Sequence, residues 1–194
     1  MGERVVSARL QPIVRRGVGT ARLRGLLFAV ATTLAATVAL ASAEPSWDVC
    51  FTPGGGCTKA IVTALEHAKS SVLVQAYTFT SAPIAKALLE ASRRGVKVEA
   101  ILDAINRRSA RYSGADLLAR AGIPVRIDSA HAIAHNKVMV VDGQTVITGS
   151  FNFTRAAQEK NAENVLIVHD PALASRYAEN WQVHAAHSQP YTSK

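Results

Sequence analysis

The sequence predicts an α/β protein, a mixed β-sheet flanked by helices on both faces, in one domain spanning residues 44–194. Short runs rich in Val, Ile and Leu alternate with stretches of helical spacing, the pattern of successive βαβ units. Of the 194 residues, 48% are hydrophobic and 19% charged, a globular composition that excludes a wholly disordered or fibrous chain. No repeat or low-complexity linker divides the 151 residues after Ala43, which suffice for one hydrophobic core.

Trp47 to Phe51 reads as a first strand, and Thr58 to Lys69 as a helix with Ile61, Leu65 and Ala68 on one face. Val72 to Tyr77 is a buried-strand run. Ser81 stands as N-cap to a helix with Pro83 in its first turn, which reaches Arg94 and stops at Gly95. Val96 to Leu102 follows as a strand, Asp116 to Ala121 as a short helix closed by Gly122, and Val125 to Ile127 as a short strand. Lys137 to Val141, Thr145 to Thr148 and Val165 to Val168 complete the strands. Asp170-Pro171 caps a last helix that runs through Trp181.

Charge is unevenly distributed. The formal net charge is +8, yet Arg4, Arg9, Arg15, Arg16, Arg22 and Arg24 all precede residue 25, with Glu3 the only acid among them. Residues 44–194 carry 16 Lys and Arg against 13 Asp and Glu, a net of +3. The high overall basicity is therefore weak testimony for a nucleic-acid partner. An uncharged run follows from Gly25 and ends in Ala41-Ser42-Ala43, a small-x-small pattern. Residues 1–43 thus read as a cleaved secretory signal, and the mature chain as periplasmic or secreted. A retained membrane anchor fits less well, because Ala and Thr dilute the apolar run. In an oxidising compartment Cys50 and Cys57, separated by a segment containing Gly54-Gly55-Gly56, are expected to form a disulfide worth about 2–3 kcal/mol.

The chemistry concentrates between residues 135 and 152. On a strand, alternate side chains share a face, which pairs His135 with Lys137 and Ser150 with Asn152. Asp142-Gly143 is a strong hairpin turn signal. A two-residue loop sets His135 opposite Ser150, and a turn centred one residue later sets it opposite Asn152. Either register gathers His135, Lys137, Ser150 and Asn152 on one face and leaves Asp142 in the turn. An imidazole can act as nucleophile or general acid–base. An ammonium, a hydroxyl and a carboxamide supply charge and donors suited to phosphate oxygens. The carboxylate-rich shell that magnesium requires is missing, so the set suits attack on a phosphodiester without metal or cofactor.

His135-x-Lys137-x4-Asp142-x6-Gly149-Ser150-x-Asn152 resembles the HKD motif of the phospholipase D superfamily. The likeness extends to Ala76-Tyr77-Thr78-Phe79-Thr80 and Lys160-Asn161-Ala162-Glu163-Asn164. With the short chain and leader, it looks most like the short bacterial periplasmic endonucleases of that superfamily, relatives of the mitochondrial cardiolipin hydrolase. The resemblance implies a metal-independent phosphodiesterase working through a phosphohistidine. Because the family uses two motifs and this chain has one, it also implies a homodimer with an isologous interface. One His135 would attack phosphorus and its twin would protonate the leaving oxygen. Lys137, Ser150 and Asn152 would hold the non-bridging oxygens, and Glu163 would orient the histidine ring. Asp142 and Gly149 are assigned structural roles, Asp142 in a turn or ion pair. Cys50, Cys57 and His131 have no counterpart in the shared pattern.

Arg155, and the basic loop with Arg107, Arg108 and Arg111, are candidate contacts for a nucleic-acid backbone. DNA, and RNA after it, is the expected substrate; a phospholipid is the alternative, and a non-catalytic DNA-binding or uptake protein the reading from another class. A Ser150-His135-Asp142 triad lacks the Gly-x-Ser-x-Gly elbow. His131 and His135 have an i, i+4 spacing, but no further zinc ligand is evident beside them. His67, His169, His184 and His187 read as ordinary surface or core residues. Phe151 and Phe153 read as core.

Overall fold

The computed structural model describes residues 44–107 and 114–193; the expected signal segment 1–43 lies outside them, as do Arg108 and Arg111. Among the described residues eight strands form one mixed sheet in the order β1-β7-β6-β5-β2-β3-β4-β8. They are β1 (Ser46–Thr52), β2 (Ser71–Ala76), β3 (Lys97–Asp103), β4 (Val125–Asp128), β5 (Lys137–Val141), β6 (Thr145–Gly149), β7 (Glu163–His169) and β8 (Gln189–Pro190). The helices are α1 (Cys57–Glu66), α2 (Ala82–Arg93), α3 (Gly114–Arg120), α4 (Arg155–Glu159) and α5 (Pro171–His187), with a 3-10 turn over Ala104–Arg107. β2, β3 and β4 run parallel, each joined to the next through a helix, and the remaining pairs are antiparallel.

Alternation along β5 shows how the layers are built. Met139 and Val141 belong to the larger core, with Ile61 and Leu65 of α1, Ile84 and Leu88 of α2 and Leu118 of α3. Val138 and Val140 face the other way and pack with Ala174, Leu173 and Tyr177 of α5. A strand covered on both faces has no polar side to show, which is why β5 reads as an unbroken apolar run. Trp181 fixes α5 to the sheet by donating its indole N–H to the Val74 carbonyl at 2.9 Å.

Asp170 caps α5 as expected, accepting from the Ala172 and Leu173 N–H groups. Ser81 occupies the N-cap of α2 without making a side-chain cap bond. Helix α5 continues past Trp181 to His187, and α4 and β8 were not legible beforehand. Cys50 on β1 and Cys57 at the start of α1 are joined as a disulfide. Among the described residues the outer strand β1 pairs with β7 alone, and Trp47 and Phe51 on it are 66% and 63% exposed. No helix among the described residues is long and apolar enough to cross a membrane.

Candidate active site

The hairpin β5–β6 forms, in a register that neither sequence reading anticipated. Asp142 and Gly143 have φ of 55° and 63°, as a primed turn requires, and the Gln144 N–H closes the turn on the Val141 carbonyl at 3.0 Å. Gln144 is then an extra residue. Its carbonyl accepts from the Asp170 N–H, so the ladder resumes with Val141 opposite Thr145 and Val138 opposite Thr148. In this register Ser150 would fall on the wrong parity to meet Lys137. The ladder ends at Gly149, however, and the period-two rule ends with it. Gly149 has φ 146°, and a Cβ there would strike the Asn164 carbonyl oxygen on β7. Only glycine allows that approach, and it lets the next residues swing into the site.

His135, Lys137, Ser150, Asn152 and Glu163 therefore do line one pocket, of about 530 Å³, with Thr148 and Tyr177 at its side. It lies where β2 ends, β5 and β7 begin and β6 ends. His135 is exposed, and its ring packs against Tyr77 with centroids 4.7 Å apart. Two backbone bonds hold its loop. The Asp103 carboxylate accepts the Ala134 N–H at 2.7 Å, and the Tyr77 N–H donates to the Asn136 carbonyl at 3.0 Å. Asn106 braces the same floor, accepting from the Phe79 N–H and donating to the Tyr77 carbonyl. Beneath lie Phe79, Phe151 and Phe153, all buried.

Lys137 is only 7% exposed. Its ammonium donates to the His135 carbonyl at 2.7 Å and lies 5.2 Å from the Tyr77 ring centroid. Burial pushes the Lys137 pKa down, opposed by the nearby negative charge of Glu163. A desolvated cation with protons to spare is a strong anchor for a phosphate oxygen. Ser150 accepts from the Asn164 N–H at 3.1 Å through its Oγ, which leaves its own hydroxyl proton to donate. No protein hydrogen bond holds the Asn152 amide, whose Oδ1 is buried without a partner among the described residues. Such a group waits for a ligand or carries a penalty of about 1–3 kcal/mol.

Glu163 lines the pocket, but its carboxylate accepts from Asn161 Nδ2 at 3.0 Å and makes no hydrogen bond to His135 among the described residues. Within one chain its electrostatic partner is Lys137. Asp142 sits at the opposite end of β5. Among the described residues it forms no ion pair; its carboxylate accepts from the Lys69, Ser70 and Ser71 N–H groups and the Ser70 hydroxyl. Burial works to raise the Asp142 pKa, but those donors outweigh it and hold the carboxyl below its usual range.

Arg155 opens α4, where it pairs with Glu159 at 2.8 Å, and it does not line the pocket. Arg107 ends the 3-10 turn, and Arg108 lies outside the described residues. His131 does not approach a metal site with His135. Among the described residues the side chains able to share a metal ion are Asp128, His131, His184 and His187. From sequence the last two read as ordinary surface or core residues, although their i, i+3 spacing on a helix is a usable signal.

Comparison with known proteins bears on the family and the fold. The family model for the cardiolipin synthase, PLD-like domain matches residues 61–184. A phospholipase D of Rickettsia felis is 49% identical over 134 residues, spanning 69% of this chain and 66% of that protein. The chain thus spans just under two thirds of that relative's length. The mitochondrial cardiolipin hydrolase of Xenopus laevis is 36% identical over 122 residues, covering 63% of this chain and 58% of that one. The crystal structure of Nuc, a phospholipase D family member from Salmonella typhimurium, superposes with a TM-score of 0.74 at 40% identity. It covers 77% of this chain and 100% of Nuc.

Proposed function

The chain belongs to the phospholipase D superfamily of phosphodiesterases, and on that premise we propose that it is an exported endonuclease that cleaves DNA, and RNA after it, as a homodimer without a catalytic metal. One observation carries the reading. An exposed imidazole, a buried ammonium, a hydroxyl and an unpartnered carboxamide converge on a pocket whose lining holds one carboxylate, Glu163. That donor set fits the oxygens of a phosphodiester and is too poor in carboxylates to hold magnesium.

In the first step an imidazole nitrogen of His135 forms a bond to phosphorus, and the bond from phosphorus to the leaving oxygen breaks on the opposite side. Lys137, Ser150 and Asn152 meet the negative charge that builds on the non-bridging oxygens. The leaving oxygen needs a proton, and the pocket of one chain has no second imidazole among its lining residues. A second copy of the hairpin across a two-fold axis supplies it. That second imidazole, then neutral, takes a proton from water as the water attacks phosphorus and releases His135. Export is supported by the leader pattern and by the joined Cys50 and Cys57.

The relatives named for lipid hydrolysis favour a second reading, hydrolysis of a phospholipid phosphodiester by the same groups. The lining suits the nuclease reading, since most of its residues carry polar side chains able to meet phosphate oxygens. Purified protein assayed in parallel on plasmid DNA, RNA and phosphatidylcholine, without added divalent metal, decides between them. Nucleic-acid cleavage is expected, and turnover of the lipid alone overturns the nuclease reading. His135→Ala is expected to lower turnover on the order of 10⁴-fold or more while the dimer still sediments as such. Undiminished cleavage by that variant, or full activity in a strictly monomeric species, overturns the mechanism.

A further inference from the structure

Four side chains outside the active site converge at one end of α5. Asp128 ends β4, His131 lies in the following loop, and His184 and His187 occupy the last turns of α5. Asp128 is fully buried. Its Oδ1 accepts the Ala130 N–H at 3.0 Å, which fixes the carboxylate. Its Oδ2 lies 2.8 Å from His184 Nδ1, 3.2 Å from His187 Nε2 and 3.2 Å from His131 Nδ1. The three rings crowd together, with centroids 5.0, 5.2 and 5.3 Å apart.

As a network of hydrogen bonds alone this cluster is over-supplied with donors. Three imidazoles each point a nitrogen at the same carboxylate oxygen, which has two lone pairs to offer. Protonating more than one ring would set cations about 5 Å apart in a half-buried site. As a ligand set the same atoms are well matched. Bonds of about 2.0–2.1 Å from zinc to nitrogen and oxygen give a tetrahedron with edges of about 3.3 Å. The observed edges at Oδ2 are 2.8 to 3.2 Å and the four ligand atoms all lie within 4.8 Å of one another, so shifts on the order of 1 Å bring them onto an ion. The required movement is available, because His131 is 46% exposed on a loop. Its side chain also gives an ion a path in. The carbonyl end of α5 adds a field that favours a cation.

We propose that Asp128, His131, His184 and His187 form a closed structural site for a divalent transition metal, zinc by the chemistry of its ligands. Four protein ligands fill a tetrahedron and leave no position for substrate or water, so the ion takes no part in the phosphodiester chemistry. Its effect is mechanical. It clamps the end of β4 and the loop 129–136 onto the end of α5. His135 follows His131 by four residues, and Ala134 between them is held by Asp103. Metal and Asp103 together set both ends of the short segment that presents the nucleophile.

The test needs no substrate, so its outcome is separate from that of the nuclease reading. The full chain, stripped by dialysis against a chelator at neutral pH, is titrated with zinc chloride and, separately, magnesium chloride. Bound metal is measured by mass spectrometry and stability by thermal melting. One zinc per chain is expected, with a rise in Tm of about 5–10 °C at saturating zinc and none with magnesium. His131→Gln lies on a half-exposed loop where folding is not at stake, and it is expected to weaken zinc binding at least tenfold. His184→Ala with His187→Ala is expected to abolish it, whereas His135→Ala leaves it intact. A wild-type chain that takes up no stoichiometric zinc overturns the proposal, as does a His131→Gln chain with unchanged affinity and Tm shift.

Discussion

The carboxylate of Asp142 sits a full strand away from the chemistry, although it belongs to the same motif as His135 and Lys137. Its work is to collect three backbone N–H groups and a hydroxyl from residues 69–71, anchoring the turn after α1 to the hairpin. Parity along β5 made this legible, because it placed Asp142 off the catalytic face; what it could not tell was that the partners would be backbone donors and not a cation. Asp142→Asn keeps the shape and tolerates the positive φ, so it isolates the charge. It is expected to cost about 1.5–3 kcal/mol in denaturant unfolding and to leave kcat within about twofold at a temperature where the variant is folded. The wild-type contribution is present above the usual carboxylate range and is lost as pH falls through the depressed folded-state pKa. A carboxamide at this position does not titrate, so the stability gap between the two proteins should close in acid. A gap that stays constant down to acid pH would count against the charge.

At the scale of elements, β5 and β6 show what pattern can and cannot read. Residue types and turn chemistry located the hairpin and its four functional side chains. The register escaped, because Gln144 is drawn out of the ladder by Asp170, 26 residues further on. Ser150 reaches the pocket only because the backbone can bend at Gly149 against Asn164. Gly149→Ala is therefore expected to push β6 from β7, costing about 1–3 kcal/mol by chemical denaturation. A fall in kcat of at least tenfold should accompany it, measured on folded protein, since Ser150 and Asn152 follow Gly149 directly. Wild-type kcat in a folded alanine variant would show that the bend is dispensable. Helix α4 was missed because five residues carry too little periodicity, although Thr154 caps it through the Ala157 N–H. The end of α5 was missed because its last turns bury a histidine-lined face against Asp128 in place of an apolar one.

On the scale of the whole molecule, the alternation of short apolar runs and helical stretches was enough to give the mixed sheet, most of its elements in order and its two covered faces. What it could not give were contacts between distant parts of the chain: β8 against β4, and Asp128 meeting His184 and His187. These depend on where the last helix comes to rest. Neither leaves a period in local sequence. One chain also presents a single copy of the catalytic hairpin, so the proposed proton donor has to come from outside it.

The outermost strand has a practical bearing on anyone handling the protein. Trp47 and Phe51 point outward from β1, whose far edge makes no ladder among the described residues. Bare indole and phenyl groups along an unpaired edge invite stickiness between molecules. Trp47→Ser with Phe51→Thr should raise the concentration at which light scattering sets in, while the melting temperature moves by less than about 2 °C. Dye that fluoresces on hydrophobic surfaces should lose signal on the same double variant.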